Sequence, residues 1–215
     1  MSEYTKVKPS KAQVTWTYMK RVWNWKRNSS PFLSGDLFSD NADISVFPPR
    51  YRGKFPTINQ IKDAKVIFCP SDKLIDFFEE FRPYINARVV ICGNSDKEFY
   101  ELPENIPHSV RQLFLQNSFI SDSPLVTTIP IGVENLRWGT NGFPNYLTPS
   151  QRNLDNKILV GPFSATHLLR KEVCEEYRKN PHKDIVLFEN RLSPKNYWTT
   201  SSTYKFVAAV RGNGV

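Results

Sequence analysis

Short strand-like runs alternate with helical or looped segments through the middle of the chain. Four runs of five to seven residues, rich in Val, Ile, Leu and Phe, lie at 65–69, 88–92, 110–116 and 126–131. Runs of this length are typical of buried strands rather than of helices. Because they are separated by crossover connections, the sequence predicts an α/β fold with a doubly wound parallel sheet.

Helix patterns fill the first two intervals between these runs. Five apolar residues recur at the spacing of one helix face: Leu74, Phe77, Phe78, Phe81 and Ile85. Ser71 or Asp72 is expected to cap this helix at its N-terminus. After the second run, Ser95 or Asp96 is expected to cap a shorter helix over residues 97–102.

The composition changes after residue 134. Residues 135–156 contain several Gly, Pro and Asn with little apolar periodicity, which indicates a linker. The strand and helix rhythm then restarts, with strands at 157–160, 184–188 and 205–210 and a helix over 166–179 whose buried face would be Leu169, Val173 and Tyr177. We therefore predict two Rossmann-like units, residues 1–134 and 157–215, of which the second is incomplete.

The last residues of the chain combine a strand with a glycine-rich turn. Residues 207–210 are small and apolar, and Arg211, Gly212 and Gly214 follow them directly. Glycines allow a sharp turn whose backbone N–H groups can approach an anion, and the arginine adds a fixed positive charge. A helix is expected after such a turn, so we interpret the chain as the front part of a longer protein.

A second cation follows the strand at 157–160. Arg170 lies in the first turns of the predicted helix, which Ser164 or Thr166 would cap. A helix N-terminus favours an anion, and a guanidinium suits a pyrophosphate. Both Arg170 and Arg211 follow parallel strands at their carboxyl ends, where open α/β sheets bind ligands.

The beginning of the chain mixes aromatic and basic residues. Residues 14–27 contain three Trp and four Lys or Arg, a pattern that fits either a helix docked on the sheet or a peripheral anchor on an anionic membrane. Residues 28–60 carry several prolines and are interpreted as mostly loop. The net charge of +8 is compatible with an anionic partner of any kind.

Targeting and metal-binding signals point to a cytoplasmic protein without a metal. The first six residues lack the apolar run of a secretory signal, and no run of eighteen apolar residues occurs. The three cysteines are scattered, which fits thiols in a reducing compartment. Three histidines, His108, His167 and His182, show no ligand spacing.

Several segments together carry a resemblance to a known family. They are Gln116–Ser118, Ile129–Val133, Gly161–His167 leading to Arg170, and Tyr204–Val215. From about residue 88 to the end, their order and spacing resemble the exostosin-like glycosyltransferases. Membership would imply a GT-B fold with an acceptor domain, a nucleotide-sugar domain and a cleft between them. In that family the final turn continues into an acidic helix bearing His and Arg, so we expect this chain to be a fragment and inactive by itself.

The resemblance also implies roles for the candidate residues. Arg170 and Arg211 would balance the charge of the leaving diphosphate, while Gly212, Gly214 and Thr166 would let the backbone and a hydroxyl close on it. Neither a metal nor another cofactor is expected, because basic residues perform the metal's role in many GT-B enzymes. The substrates would be a nucleotide-sugar and a polysaccharide or glycolipid acceptor.

An inverting transfer also needs a general base near the acceptor hydroxyl. Asp96 is the candidate, because it follows the second strand at the expected sheet edge. Asp72 and Glu134 are its rivals. Each of the three also has a purely structural interpretation, as a helix cap for the two aspartates and as a surface residue for Glu134.

Two other functions compete with sugar transfer as interpretations of the sequence. A non-enzymatic nucleotide- or nucleic-acid-binding module would explain the positive charge and the mixed aromatic and basic residues at 16–27. No nucleic-acid-binding motif is present, so a nucleic acid is not the expected partner. A dinucleotide oxidoreductase is disfavoured, because no G-x-G-x-x-G follows a predicted strand.

Overall fold

The computed structural model describes residues 30, 32–48, 53–135, 154–163, 167–190 and 192–210. The predicted basic helix at 14–27, nearly all of the predicted linker, and the donor-site candidates Thr166, Arg211, Gly212 and Gly214 lie outside the described residues.

The first sheet consists of five parallel strands. They are β1 (Ile44–Ser45), β2 (Val66–Pro70), β3 (Val89–Gly93), β4 (Gln112–Gln116) and β5 (Val126–Ile129). Their order in the sheet is the order of the chain. The predicted runs from 65 to 131 are therefore confirmed as strands of a parallel α/β sheet. Strand β1 was not predicted and lies in the segment interpreted from the sequence as mostly loop.

Helices flank this sheet: α1 (Gly35–Asp40), α2 (Ile58–Asp63) and α3 (Leu74–Phe81). Ser34 caps α1 by accepting a bond from the Leu37 N–H, and Thr57 and Gln60 form a capping box on α2. The predicted cap of α3 is wrong. Residues Ser71–Lys73 form a 3₁₀ turn that leads into the helix, and no side chain caps it.

The core of the first unit lies on one face of the sheet. In α3, Leu74, Phe77 and Phe78 are fully buried, as their spacing predicted. They share one cluster with the side chains of alternate strand positions, namely Ile67, Cys69, Val90, Cys92, Leu113 and Leu115. Neighbouring strands hold these positions in register, so they form one continuous apolar layer. Each fully buried Leu or Phe contributes roughly 1.5–3 kcal/mol.

The predicted short helix at 97–102 is wrong. Phe99 instead forms a parallel bridge with Ser118, in the loop after β4. Its N–H donates to the Asn117 carbonyl at 3.1 Å, and its carbonyl accepts from the Phe119 N–H at 2.8 Å. Six residues form too few helical hydrogen bonds to outweigh a pairing that buries Phe99 in the core.

The described residues of the second unit form a sheet of three parallel strands and two helices. They are β6 (Asp155–Val160), α4 (Leu168–Lys179), β7 (Ile185–Leu187), α5 (Pro194–Ser201) and β8 (Tyr204–Val207). The sheet order is β7-β6-β8, so the chain moves from β6 to one side and then crosses to the other. The predicted α/β class, with two separate parallel sheets, is thus confirmed.

Helix α4 is less buried than its pattern predicted. None of its residues is fully buried, and Leu169 is 41% exposed while Val173 and Tyr177 are half-buried. The prediction of a buried face is therefore wrong for Leu169, because α4 packs mainly beside β7, a short edge strand. In the part of the chain that the structure describes, no helix is long and apolar enough to cross a membrane.

Candidate functional site

The change of direction in the second sheet creates a candidate binding site. Strand β6 lies between β7 and β8, so the chain first moves from β6 to β7 on one side and then crosses to β8 on the other. In open α/β sheets, ligands bind in the crevice outside the carboxyl ends of two such strands. Here that edge is formed by Gly161–Phe163 after β6 and by Ala208–Val210 after β8.

Gly161 shapes the turn that leaves β6. Its φ of +81° lies in the left-handed region, and a Cβ at this position would clash with the carbonyl oxygen of Phe188. The Phe188 N–H in turn donates to the Val160 carbonyl at 2.8 Å. The chain therefore leaves β6 close against the end of β7, and only glycine fits this approach.

Arg170 joins the ends of β6 and β8. Its Nε donates to the Val210 carbonyl at 3.1 Å, and its guanidinium lies 5.6 Å from the centre of the Phe163 ring. Since Phe163 follows β6 and Val210 follows β8, one side chain contacts both sides of the crevice. Arg170 thus lies at the edge where the sequence predicted it, next to Val210, which directly precedes Arg211.

The start of α4 differs from the prediction in one respect. His167 is the N-cap, and its Nδ1 accepts the Leu169 N–H at 3.2 Å. The predicted cap by Ser164 or Thr166 is therefore wrong, because α4 begins at Leu168. This arrangement gives His167 a structural role and leaves Arg170 in the first turn of the helix, where the backbone dipole favours negative charge.

Tyr197 in α5 lies within the electrostatic reach of Arg170. Burial raises the pKa of the Tyr197 hydroxyl, and the positive charge of Arg170 lowers this pKa in part. Its ring lies 6.1 Å from that of Trp198 at an edge-to-face angle of 70°. The site therefore combines a held arginine with aromatic side chains from two further segments.

The acidic candidates of the first unit lie at or beyond the carboxyl ends of its strands. Asp72 and Asp96 are both exposed, and Glu134 is half-buried. Ser95, beside Asp96, accepts the Lys97 N–H and shapes a local turn instead of a helix start. Nothing in this geometry prefers Asp96 over its two rivals.

A buried carboxylate that sequence reasoning missed is Asp36. It lies in the first turn of α1, is 1% exposed, and its Oδ1 accepts from Asn94 Nδ2 at 3.5 Å. Asn135 completes the group: its Oδ1 accepts the Asp36 N–H at 2.7 Å, and its Nδ2 donates to Asn94 Oδ1 at 2.7 Å. Ser34 followed by Gly35 and Asp36 is a helix-start signal that could have revealed α1.

Close backbone approach holds this polar group together. Asn94 has a φ of +57°, and its backbone N–H donates to Gln116 Oε1 at 3.2 Å. A Cβ on Gly35 would clash with the Asn94 side chain, and one on Gly132 would clash with the Leu33 carbonyl. The loops after β3 and β5 therefore close tightly on the start of α1.

A cavity of about 310 Å³ opens beside this polar group. Its lining includes carboxylates, hydroxyls, one side-chain amide and two phenylalanine rings. The residues that supply them are Asp36, Asp40, Asp43, Ser39, Ser45, Asn94, Phe47 and Phe68. Phe47 has a φ of +49°, which is rare for a bulky residue. The cavity offers hydrogen-bond acceptors and apolar walls, which suit a polar, uncharged ligand better than an anion.

Metal ions and reactive thiols each require particular arrangements of side chains, with which the described residues of the two regions can be compared. Within the described residues, no group of three or more His, Cys, Asp or Glu side chains could hold a metal ion. Burial raises the pKa of the Cys69 and Cys92 thiols well above the ordinary value. Such thiols stay protonated and are poor nucleophiles.

Comparisons with known proteins do not identify the chain. No protein-family model matches it, and no curated protein matches it.

Proposed function

We propose that this chain is part of a glycosyltransferase of the exostosin-like, GT-B type, which transfers a sugar from a nucleotide-sugar to a polysaccharide or glycolipid acceptor. The observation that carries the proposal is the position of Arg170 between the ends of β6 and β8, where it contacts both Val210 and Phe163. That edge is the usual ligand-binding edge of an open α/β sheet.

A diphosphate is the ligand that this edge suits best. A guanidinium binds phosphate oxygens in a bidentate geometry, and the bond from Nε to the Val210 carbonyl limits the orientations that Arg170 can adopt. The first turn of α4 adds a favourable dipole. In our proposal Thr166, Arg211, Gly212 and Gly214 complete the binding of the diphosphate, and the fixed positive charges stabilise it as it leaves the sugar.

The proposed transfer also needs a base for the acceptor hydroxyl. Asp96 remains a candidate, and Asp36 is the stronger one. Asp36 is buried and lines a cavity large enough for a sugar unit, whereas Asp96 is exposed to solvent. Comparing Asp36→Asn with Asp96→Asn in a transfer assay separates the two, because only loss of the base lowers kcat without weakening nucleotide binding.

Calorimetric titration of the protein with uridine and guanosine diphosphates tests the donor site. We expect Arg170→Ala to weaken binding at least tenfold, and Arg170→Lys to recover part of the loss because it keeps the charge but not the fork. Arg178→Ala is the matched control, since Arg178 lies on the same helix and pairs with Glu189 instead. Equal affinity in wild type and Arg170→Ala would remove the donor-site assignment.

A binding module without catalysis is the second candidate, because the same Arg170 site would hold a nucleotide in either case. The two differ in one measurement. A nucleotide-sugar that the protein binds but neither hydrolyses nor transfers to an acceptor would favour the binding module.

A peripheral membrane contact through residues 14–27 is a further part of the proposal, with the protein in the cytoplasm. The basic and aromatic composition of that segment supports it. Co-sedimentation with vesicles containing phosphatidylserine tests the contact. We expect binding that falls with salt and that is lost when Lys20 and Arg21 are both changed to Glu; binding only to neutral vesicles would contradict it.

A further inference from the structure

Two loops at the carboxyl edge of the first sheet are joined by backbone hydrogen bonds. The bridge between Phe99 and Ser118 joins the loop after β3 to the loop after β4. Phe99 itself is buried in the core, with 4% of its surface exposed, and Asn117 turns the chain with a φ of +57°. The residues beside this bridge are therefore held in fixed positions by the core and by backbone hydrogen bonds.

These residues are Tyr100 and Phe119, which form a stacked aromatic pair. Their ring centres are 4.9 Å apart and their planes differ by 6°. Nevertheless Tyr100 is 66% exposed and Phe119 is 59% exposed. Stacking covers only one face of each ring, so the outer faces lie in solvent as flat apolar surfaces on a rigid support.

The chemistry around the pair is acidic. The Tyr100 hydroxyl donates to Glu98 Oε2 at 2.6 Å, which places a carboxylate at the rim of the rings. Residues 94–105 contain four carboxylates, Asp96, Glu98, Glu101 and Glu104, against a single basic residue, Lys97. In a chain whose net charge is +8, this loop is locally negative. Phosphate-bearing ligands are therefore repelled here.

We infer that the Tyr100–Phe119 pair is a stacking platform for a neutral glycan. A sugar ring has a flat face of C–H groups that can pack on an aromatic ring. The hydroxyl groups at its rim can donate hydrogen bonds to a carboxylate such as Glu98. Proteins that stack nucleic-acid bases combine aromatic rings with Lys and Arg, and here the neighbouring charges have the opposite sign. The inference rests on the proposed function only in that such a glycan would be the acceptor.

Affinity electrophoresis in gels containing soluble neutral polysaccharides tests the platform. The probes are xyloglucan, glucomannan, laminarin and dextran, and calorimetry on the best of them gives the affinity. We expect at least one polysaccharide to retard the wild-type protein, and Tyr100→Ala and Phe119→Ala each to weaken its binding at least tenfold. Tyr100→Phe keeps the ring and should lose less than threefold.

Matched variants separate stacking from general surface effects. Leu102→Ala changes an exposed apolar residue of the same loop, and Phe206→Ala changes an exposed aromatic residue of the other sheet. Both should bind the polysaccharide like wild type, and circular dichroism checks that every variant is folded. If none of the four polysaccharides retards the protein, or if both alanine variants bind as well as wild type, the inference is wrong.

Nucleotide binding measured on the same preparations distinguishes this inference from the proposed function. Binding of a nucleoside diphosphate without any polysaccharide overturns the platform and leaves the donor site standing. Polysaccharide binding that Arg170→Ala leaves intact, in a protein that binds no nucleotide, supports the platform and overturns the transferase. Binding of a single-stranded oligonucleotide that Tyr100→Ala abolishes would assign the platform to nucleic acid and overturn the glycan.

Discussion

The two sheets of this protein differ in how much apolar surface they bury. Sixteen buried residues form one apolar cluster against the first sheet. Among the described residues of the second sheet, the fully buried apolar side chains are Leu159 and Val160, while Ile158, Phe206 and Val207 are 36%, 52% and 41% exposed. Both sheets are parallel, and parallel sheets are normally covered on both faces. The first unit therefore has a continuous buried core, whereas the described strands of the second unit leave large apolar side chains partly exposed.

The proposed donor site lies in the less buried of the two units. Arg170 and the crevice between β6 and β8 belong to the weakly buried unit, and the aromatic platform and the Asp36 cavity belong to the well-packed one. Regions with few buried apolar contacts open at lower free energy. We therefore expect the donor side to be the part that a bound ligand stabilises most.

The largest expected effect comes from the same substitution made in both units. Phe77→Ala removes a fully buried ring and should lower the free energy of unfolding by about 3–5 kcal/mol. Phe206→Ala removes a half-exposed ring and should change it by about 0.5 kcal/mol or less. Urea unfolding followed by circular dichroism measures both. Similar losses for the two variants would mean that Phe206 is as well buried in solution as Phe77, and would contradict the comparison.

Helix caps give a smaller and more local test. Thr57 caps α2 in the first unit, and Ser193 caps α5 in the second by accepting the Asn196 N–H at 3.2 Å. Replacing either by Ala should cost about 1 kcal/mol. Hydrogen exchange followed by mass spectrometry shows where the cost falls. We expect Thr57→Ala to speed exchange in the first sheet alone and Ser193→Ala in α5 and β8 alone; faster exchange in both units after either change would show that they unfold together.

The strands were predictable because their signal is local. The runs around β2, β3 and β4 are short, apolar and closed by turn residues, so burial could be inferred from the sequence. Strand β1 has two residues, which is too short for any periodicity. Helix α2 is preceded by the N-cap Thr57, which forms a capping box with Gln60 that is visible in the sequence; the prolines around it obscured this signal.

The site residues were harder to predict because their positions depend on distant partners. Asp36 is held by Asn94 and Asn135, which lie 58 and 99 residues away in the chain. The loop after β3 also depends on a distant partner, because its pairing with residues after β4 replaces the predicted helix. The position of Arg170 was predictable because its signal, a cation at a helix start after a strand, is local. The contact with Val210 was not predictable from it.

The smallest expected effect concerns a carboxylate at the start of β1 that accepts hydrogen bonds from the backbone at the start of β2. Asp43 Oδ2 accepts hydrogen bonds from the N–H groups of Lys65 and Val66 at 2.7 and 2.8 Å, and the bonds from Val66 and Lys65 lower the pKa of this exposed carboxyl from its ordinary value. Because the folded pKa is the lower one, the stabilisation is complete above the unfolded value and is lost as the pH falls through the folded value. The urea midpoints of wild type and Asp43→Asn should therefore differ at neutral pH and converge in strong acid. A difference that stays constant with pH would mean that the charge of Asp43 contributes nothing, and that its two hydrogen bonds only position the edge strand.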